Sequence, residues 1–128
     1  MTTSLNLRLS SLLRNLYRDS HGITRLQKPE KIFLENTNIA FALGNGLPEK
    51  GNIRKTFFAN QLSYGHSLTI PENGDFLADN SRTFEIGGRG KDNKQLNKAT
   101  VNNGFIASDD IEFGNGNKIP LWMFGFLY

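Results

Sequence analysis

The chain of 128 residues contains no cysteine. Disulfide bonds and thiolate zinc sites are therefore excluded, which suits the reducing cytoplasm. Histidine is scarce: His21 and His66 are the only two. They stand far apart without ligand-spaced partners, and both read as surface or capping residues rather than metal ligands. No apolar run reaches the length of a membrane span. The opening MTTSLNLRLSS has no uninterrupted apolar core and no small-residue cleavage site, so it does not read as a signal peptide. Phosphate-binding fingerprints are missing as well. GNGLPEKG at 44–51 lacks the third glycine of a dinucleotide loop, and neither it nor GGRGK at 87–91 has the spacing and terminal hydroxyl of a P-loop. The chain by itself is expected neither to bind nor to hydrolyse ATP.

What is present fits one domain large enough to bury a core. The net charge of +3 conceals an asymmetry. Residues 1–55 carry nine Lys or Arg against four acids, whereas residues 56–128 carry six against eight. A basic first half could meet nucleic acid or an acidic protein face. No dense basic run occurs, however, and a solvated face is the plainer reading.

The stretch GDFLADNSRTFEIGGRGK, residues 74–91, organises the rest. It reads as two short strands, Asp75 to Ala78 and Arg82 to Gly87, joined by the turn formers Asp79, Asn80 and Ser81. With a three-residue loop, Phe76 faces Phe84 and Asp75 lies opposite Glu85 on the other face. A two-residue loop would instead send the carboxylates to opposite faces. Two opposed carboxylates repel, so the first register needs a cation or open water beside them.

Elsewhere, Leu5, Leu9, Leu12, Leu13 and Leu16 recur at helical spacing, predicting an amphipathic helix that ends near residues 19–22. Arg8, Arg14 and Arg18 would line its polar side. Short strands are expected at Ile23 to Leu26 and Lys31 to Glu35, with a short helix from Asn38 to Leu43. This outline suggests a winged-helix fragment. The loop at 44–51 is the best internal boundary, separating a helical, winged-helix-like segment 1–44 from a restriction-endonuclease-sized domain 51–128, the two expected to form one compact unit. Asn52 is a candidate cap for a helix to about Tyr64 that buries Ile53, Phe57, Phe58 and Leu62. A strand from His66 to Ile70 ends at Pro71. Asp92 with Gln95 resembles a capping box for a short helix to about Lys98, and a last strand covers Phe105 to Ser108. The tail IPLWMFGFLY, 119–128, is almost wholly apolar, with Pro120 suited to the first turn of a short helix. It either seals the domain's own core or, through Trp122, Phe124 and Phe126, contacts another copy or another protein.

The order helix, strand, strand, strand, helix, strand from Asn52 to Ser108, with Asp75 and Glu85 on consecutive strands, resembles the α/β core of the PD-(D/E)XK, or restriction-endonuclease-like, nucleases. The phrases KPEKIFLENTNIAFAL, GNIRKTFFANQL, GDFLADNSRTFEIGG and NKIPLWMFGFLY resemble the C-terminal nuclease-like domain of a bacterial and archaeal family of AAA-type ATPases. The likeness runs from about Leu5 onward and includes no ATPase core, implying a detached or truncated C-terminal portion. It also implies a magnesium ion held by two acids, with a lysine two positions after the second that orients or deprotonates water. Asp75 and Glu85 match the acids. Gly87 stands where the lysine belongs, and Lys55 where the preceding helix often supplies a further acid.

These departures favour a non-catalytic binding or regulatory module over a nuclease. In that reading Asp75 and Glu85 pair with Lys55 and Arg89 in a charged cluster that keeps the hairpin in register. The alternative is a magnesium-dependent nuclease in which Lys91, Arg89 or Lys55 replaces the missing lysine. A third reading is a structural piece that pairs with itself or a parent ATPase through the apolar tail. Nucleic-acid or anion contacts would fall to Lys55, Arg89, Lys91, Lys94 and Lys98. Gly87, Gly88 and Gly90 permit a bulge, a close backbone approach or a flexible strand exit. The acids Asp109, Asp110 and Glu112 could bind a cation, though a short acidic turn more often marks a solvated loop.

Overall fold

The computed structural model describes residues 13–18, 29–43, 46–92 and 103–126. The strand predicted at 23–26, the helix at 92–98 and the leucines at 5, 9 and 12 lie outside them, wholly or nearly so.

The described residues form a mixed α/β structure around a five-stranded sheet. In chain order the elements are β1 (Leu13–Leu16), β2 (Lys31–Leu34), α1 (Thr37–Leu43), α2 (Lys50–Leu62), β3 (Leu68–Thr69), β4 (Phe76–Ala78), β5 (Arg82–Gly87), β6 (Gly104–Ser108), β7 (Lys118–Pro120) and a 3₁₀ helix (Leu121–Phe126). The sheet runs β3-β4-β5-β6-β7. Its first three strands are antiparallel neighbours, and β5, β6 and β7 run parallel.

Helix α2 packs across β5 and against the 3₁₀ helix. Phe58, fully buried on α2, is the hub. Its ring lies 5.1 Å from Phe76, 5.0 Å from Phe84 and 5.0 Å from Phe124. Such offset and edge-on contacts add to the large apolar area that each ring removes from water. The 3₁₀ helix thus closes the core with Leu121 and Phe124 and turns Trp122, Met123 and Phe126 outward. Among the described residues, no helix is long and apolar enough to cross a membrane.

Three expectations change. Leu13 to Leu16 is a strand paired antiparallel with Lys31 to Leu34, not the end of a helix. Leucines three apart share a helix face, but in a strand they face opposite sides, so Leu16 enters the core while Leu13 stays half-buried, and the ladder to β2 satisfies the backbone. Helix α2 begins at Lys50: the Ile53 N–H already bonds the Glu49 carbonyl at 3.1 Å, so Asn52 lies in the first turn instead of capping it. Pro120 ends a strand rather than starting a helix. β7 is the sheet's edge, so the missing N–H removes no central ladder bond.

The first strands are tied to the main sheet. Ile70 donates its N–H to the Tyr17 carbonyl at 2.7 Å, and the Phe33 ring lies 5.4 Å from Phe76.

Candidate functional site

The site is built on the β4–β5 hairpin. Its loop holds three residues, and the register is Phe76↔Phe84, Leu77↔Thr83 and Ala78↔Arg82. Asp79 and Asn80 both adopt positive φ, 51° and 57°, which these short polar side chains tolerate better than most. Ser81 closes the turn by donating to the Ala78 carbonyl at 3.0 Å. His66 pairs with the Asp79 carboxylate through Nδ1, and this hydrogen bond, with one from the Ser67 N–H, holds Asp79 below the usual carboxylate range.

The regular ladder ends at Phe76↔Phe84, one pair short of the predicted Asp75–Glu85 pair. Gly74 turns the chain away with φ 103°, and a Cβ there would lie 2.6 Å from the Thr83 side chain. Asp75 keeps its place through two bonds instead. Its N–H donates to the Phe84 carbonyl at 2.9 Å, and its Oδ2 accepts the Ile86 N–H at 2.8 Å. The carboxylate thereby does the work of a backbone carbonyl, holding Asp75 beside the strand that carries Glu85.

Two lysines complete a group of four charges. Lys55 reaches from α2 to Asp75 Oδ1 at 3.1 Å, and Lys91 returns from beyond β5 to Glu85 Oε2 at 2.9 Å. The carboxylates are deeply placed, Asp75 being 8% exposed and Glu85 1%. Burial is the largest influence on Glu85 and raises its pKa, and the charge of Asp75 raises it further. The bond to Lys91 and the charges of Lys91 and Lys55 oppose this.

Gly87 has a definite role here. A Cβ on it would lie 2.8 Å from Cδ and 2.9 Å from both Cβ and Cγ of Lys91. The stem of Lys91 fills the space where a side chain at position 87 would begin. Its ammonium thus reaches Glu85 from four residues beyond the position the motif reserves for lysine. Gly88 likewise admits the Arg54 guanidinium, 3.3 Å from where its Cβ would be.

The site residues expected from sequence divide accordingly. Asp75, Glu85, Lys55 and Lys91 come together. Arg89 does not join them: its Nε and Nη2 donate to the Asp110 carbonyl at 3.0 and 2.8 Å. Lys94 and Lys98 lie outside the described residues. In the acidic turn, Asp109 and Asp110 bind Arg54 at 2.9 and 3.3 Å. Arg54 was not anticipated, and no spacing in the sequence joins it to a turn 55 residues away. Of the tail residues, Phe124 is core and offers no contact surface, whereas Trp122 is 52% and Phe126 69% exposed.

A magnesium ion does not fit these residues as they stand. No cluster of three or more His, Asp or Glu able to hold a metal occurs among the described residues. Hard divalent ions prefer oxygen-rich shells, and the ammonium of Lys55 already neutralises Asp75 Oδ1. No protein-family model, curated protein or solved structure matches the chain.

Proposed function

We propose that this chain is a non-catalytic, nuclease-like binding or regulatory module, akin to the C-terminal domain of AAA-type ATPases. One observation carries the reading: each carboxylate of the would-be metal site is held by a lysine of the same chain, Asp75 by Lys55 and Glu85 by Lys91. The restriction-endonuclease-like fold belongs to the same proposal. It is supported by the helix preceding an antiparallel hairpin, by acids at the end of that hairpin, and by the parallel strand beside β5.

In this reading the module works by contact. Several of its cations are committed internally: Arg14 to Glu35, Arg18 to Glu30, Arg54 to Asp109 and Asp110, and Arg89 to a backbone carbonyl. That favours a protein partner, either a parent ATPase or a second copy, over nucleic acid. The exposed Trp122 and Phe126 are its contact residues.

The alternative, a magnesium-dependent nuclease with a displaced lysine, is favoured by the placement of Lys91 over Gly87. Lys55 opposes it. Titration with magnesium, read by amide NMR shifts at Asp75, Glu85 and Ile86 and followed by cleavage assays on DNA and RNA, separates the two. The module reading expects no saturable shift at millimolar metal and no cleavage. Saturable shifts that vanish in Asp75→Ala, together with metal-dependent cleavage, would replace it with the nuclease.

A further inference from the structure

Strands β7 and β2 present different edges. On β7 the N–H and C=O of Lys118 both bond Asn115, at 3.0 Å each, and Pro120 brings no N–H, so a further strand finds little to pair with. Strand β2 has β1 on one side and, among the described residues, no strand on the other. Successive residues of a strand send their N–H and C=O to alternate sides, so about half of its backbone groups face away from β1. Those groups are a template for another strand. We propose that β2 pairs there, antiparallel, with β2 of a second copy of the chain, about a two-fold axis at Phe33. This interface is separate from Trp122 and Phe126.

The sequence KIFLE, residues 31–35, fits itself in that register. Lys31 meets Glu35 of the second copy at each end, Ile32 meets Leu34, and Phe33 meets its own equivalent. Lys31 has no ion pair among the described residues, and Glu35, just past the strand, holds Arg14 through Oε2. A lysine on a sheet edge ordinarily turns a second strand away; here an opposite charge faces it, twice over. Sliding the register by two residues would set Lys31 against Phe33, and in-register parallel pairing would set Lys31 beside Lys31. The antiparallel register at Phe33 avoids both.

The outer face of β2 fits the same partner. Phe33 packs on Phe76 and belongs to the core side, so by alternation Ile32 and Leu34 take the other side. Ile32 is 58% exposed and Leu34 half-buried. In the pair, each Ile32 lies across from Leu34 of the second copy, and apolar surface leaves water on both halves of the interface.

The test is sedimentation equilibrium of the whole chain from about 1 μM to 1 mM, with circular dichroism to check each variant's fold. Wild type should pass from monomer to dimer over that range. Lys31→Glu should weaken the dimer about tenfold, because two like-charge pairs replace two attractive ones, and Glu35→Lys should do the same. Mixing the two variants should restore the wild-type affinity, since acid then faces lysine at both ends. Trp122→Ser should leave the affinity unchanged. A wild type that stays monomeric, a mixture no tighter than either variant alone, or a dimer lost in Trp122→Ser and kept in Lys31→Glu overturns the proposal. The non-catalytic module reading survives each of these results, because it stands or falls on the magnesium and cleavage experiments. Should Glu35→Lys not fold for want of its bond to Arg14, Ile32→Lys takes its place at an exposed position. A folded Ile32→Lys chain that dimerises as tightly as wild type overturns the proposal.

Discussion

Two groups of ion pairs in this molecule share chemistry and distances yet differ in setting. In the N-terminal strands, Arg18 binds Glu30 at 2.7 Å and Arg14 binds Glu35 at 2.9 Å. In the hairpin site, Lys91 binds Glu85 at 2.9 Å and Lys55 binds Asp75 at 3.1 Å. Bond length would rank the first group as stronger. Burial reverses the order, because the carboxylates of the site, Glu85 above all, are almost wholly out of water, whereas Arg18 and Glu30 are exposed and the Arg14–Glu35 pair is only half-buried. A solvated pair exchanges one good environment for another and gains little. A buried carboxylate has given up its hydration and depends on the cation beside it, so the loss of that cation is costly even where the intact pair adds little net stability.

The sharpest way to break this contrast is to remove the ammonium from Lys91 while keeping its stem over Gly87. Lys91→Met does so, since the stem packs where a Cβ of residue 87 would otherwise stand. The expected loss is about 3 kcal/mol in urea-induced unfolding, the low end for breaking a buried pair, because Glu85 can relieve its charge by taking up a proton. A loss below about 1 kcal/mol would put the site in the same class as the exposed pairs and end the comparison.

The same contrast explains what could be read from the sequence. The hairpin was legible because its determinants are local: Asp79, Asn80 and Ser81 set the loop, and the loop sets the Phe76↔Phe84 register. The need for a cation beside two close acids was legible too, from charge alone. Lys55, expected from the sequence, does reach Asp75, but the cation beside Glu85 was not legible. Arg89 was expected and turns instead to the Asp110 carbonyl, while Lys91 bends back because Gly87 makes room, a fit that exists only in three dimensions. The leucines at 13 and 16 misled for a related reason. Their spacing suits a helix, but the partner that makes them a strand lies some 18 residues on, in β2. Long-range pairing overrides local preference. Likewise, Pro120 fits a helix start and an edge strand equally well until the sheet order is known.

Acid titration tests the hairpin side of the comparison more gently. The pKa of Glu85 is raised above the 4.5 of an ordinary glutamate, chiefly by burial. As pH rises past that value, the unfolded chain ionises first and is favoured, so the stability contributed by protonated Glu85 is full below about 4.5 and declines until the folded group ionises too. Glu85→Gln lacks this transition. Its stability relative to wild type should therefore climb as pH rises from below 4.5 through the raised pKa, then level off, as measured by urea unfolding at a series of pH values. A flat difference across that range would mean that Glu85 is no harder to ionise in the folded protein than in the unfolded chain.

The smallest expected effect comes from the other side. The Arg18 side chain is exposed, and its pKa is raised by the hydrogen bond and charge of Glu30. Such a shift on an exposed group is screened by water and salt and does not convert into stability. The Arg18 backbone, in contrast, belongs to the parallel bridge to Ile70, which any side chain can maintain. Arg18→Ala should accordingly leave the unfolding midpoint where it is, at low and at high salt alike. A clear drop at low salt that disappears in high salt would show that the pair at the mouth of the first strands stabilises the fold, and distance rather than burial would then be the better guide to the ion pairs of this protein.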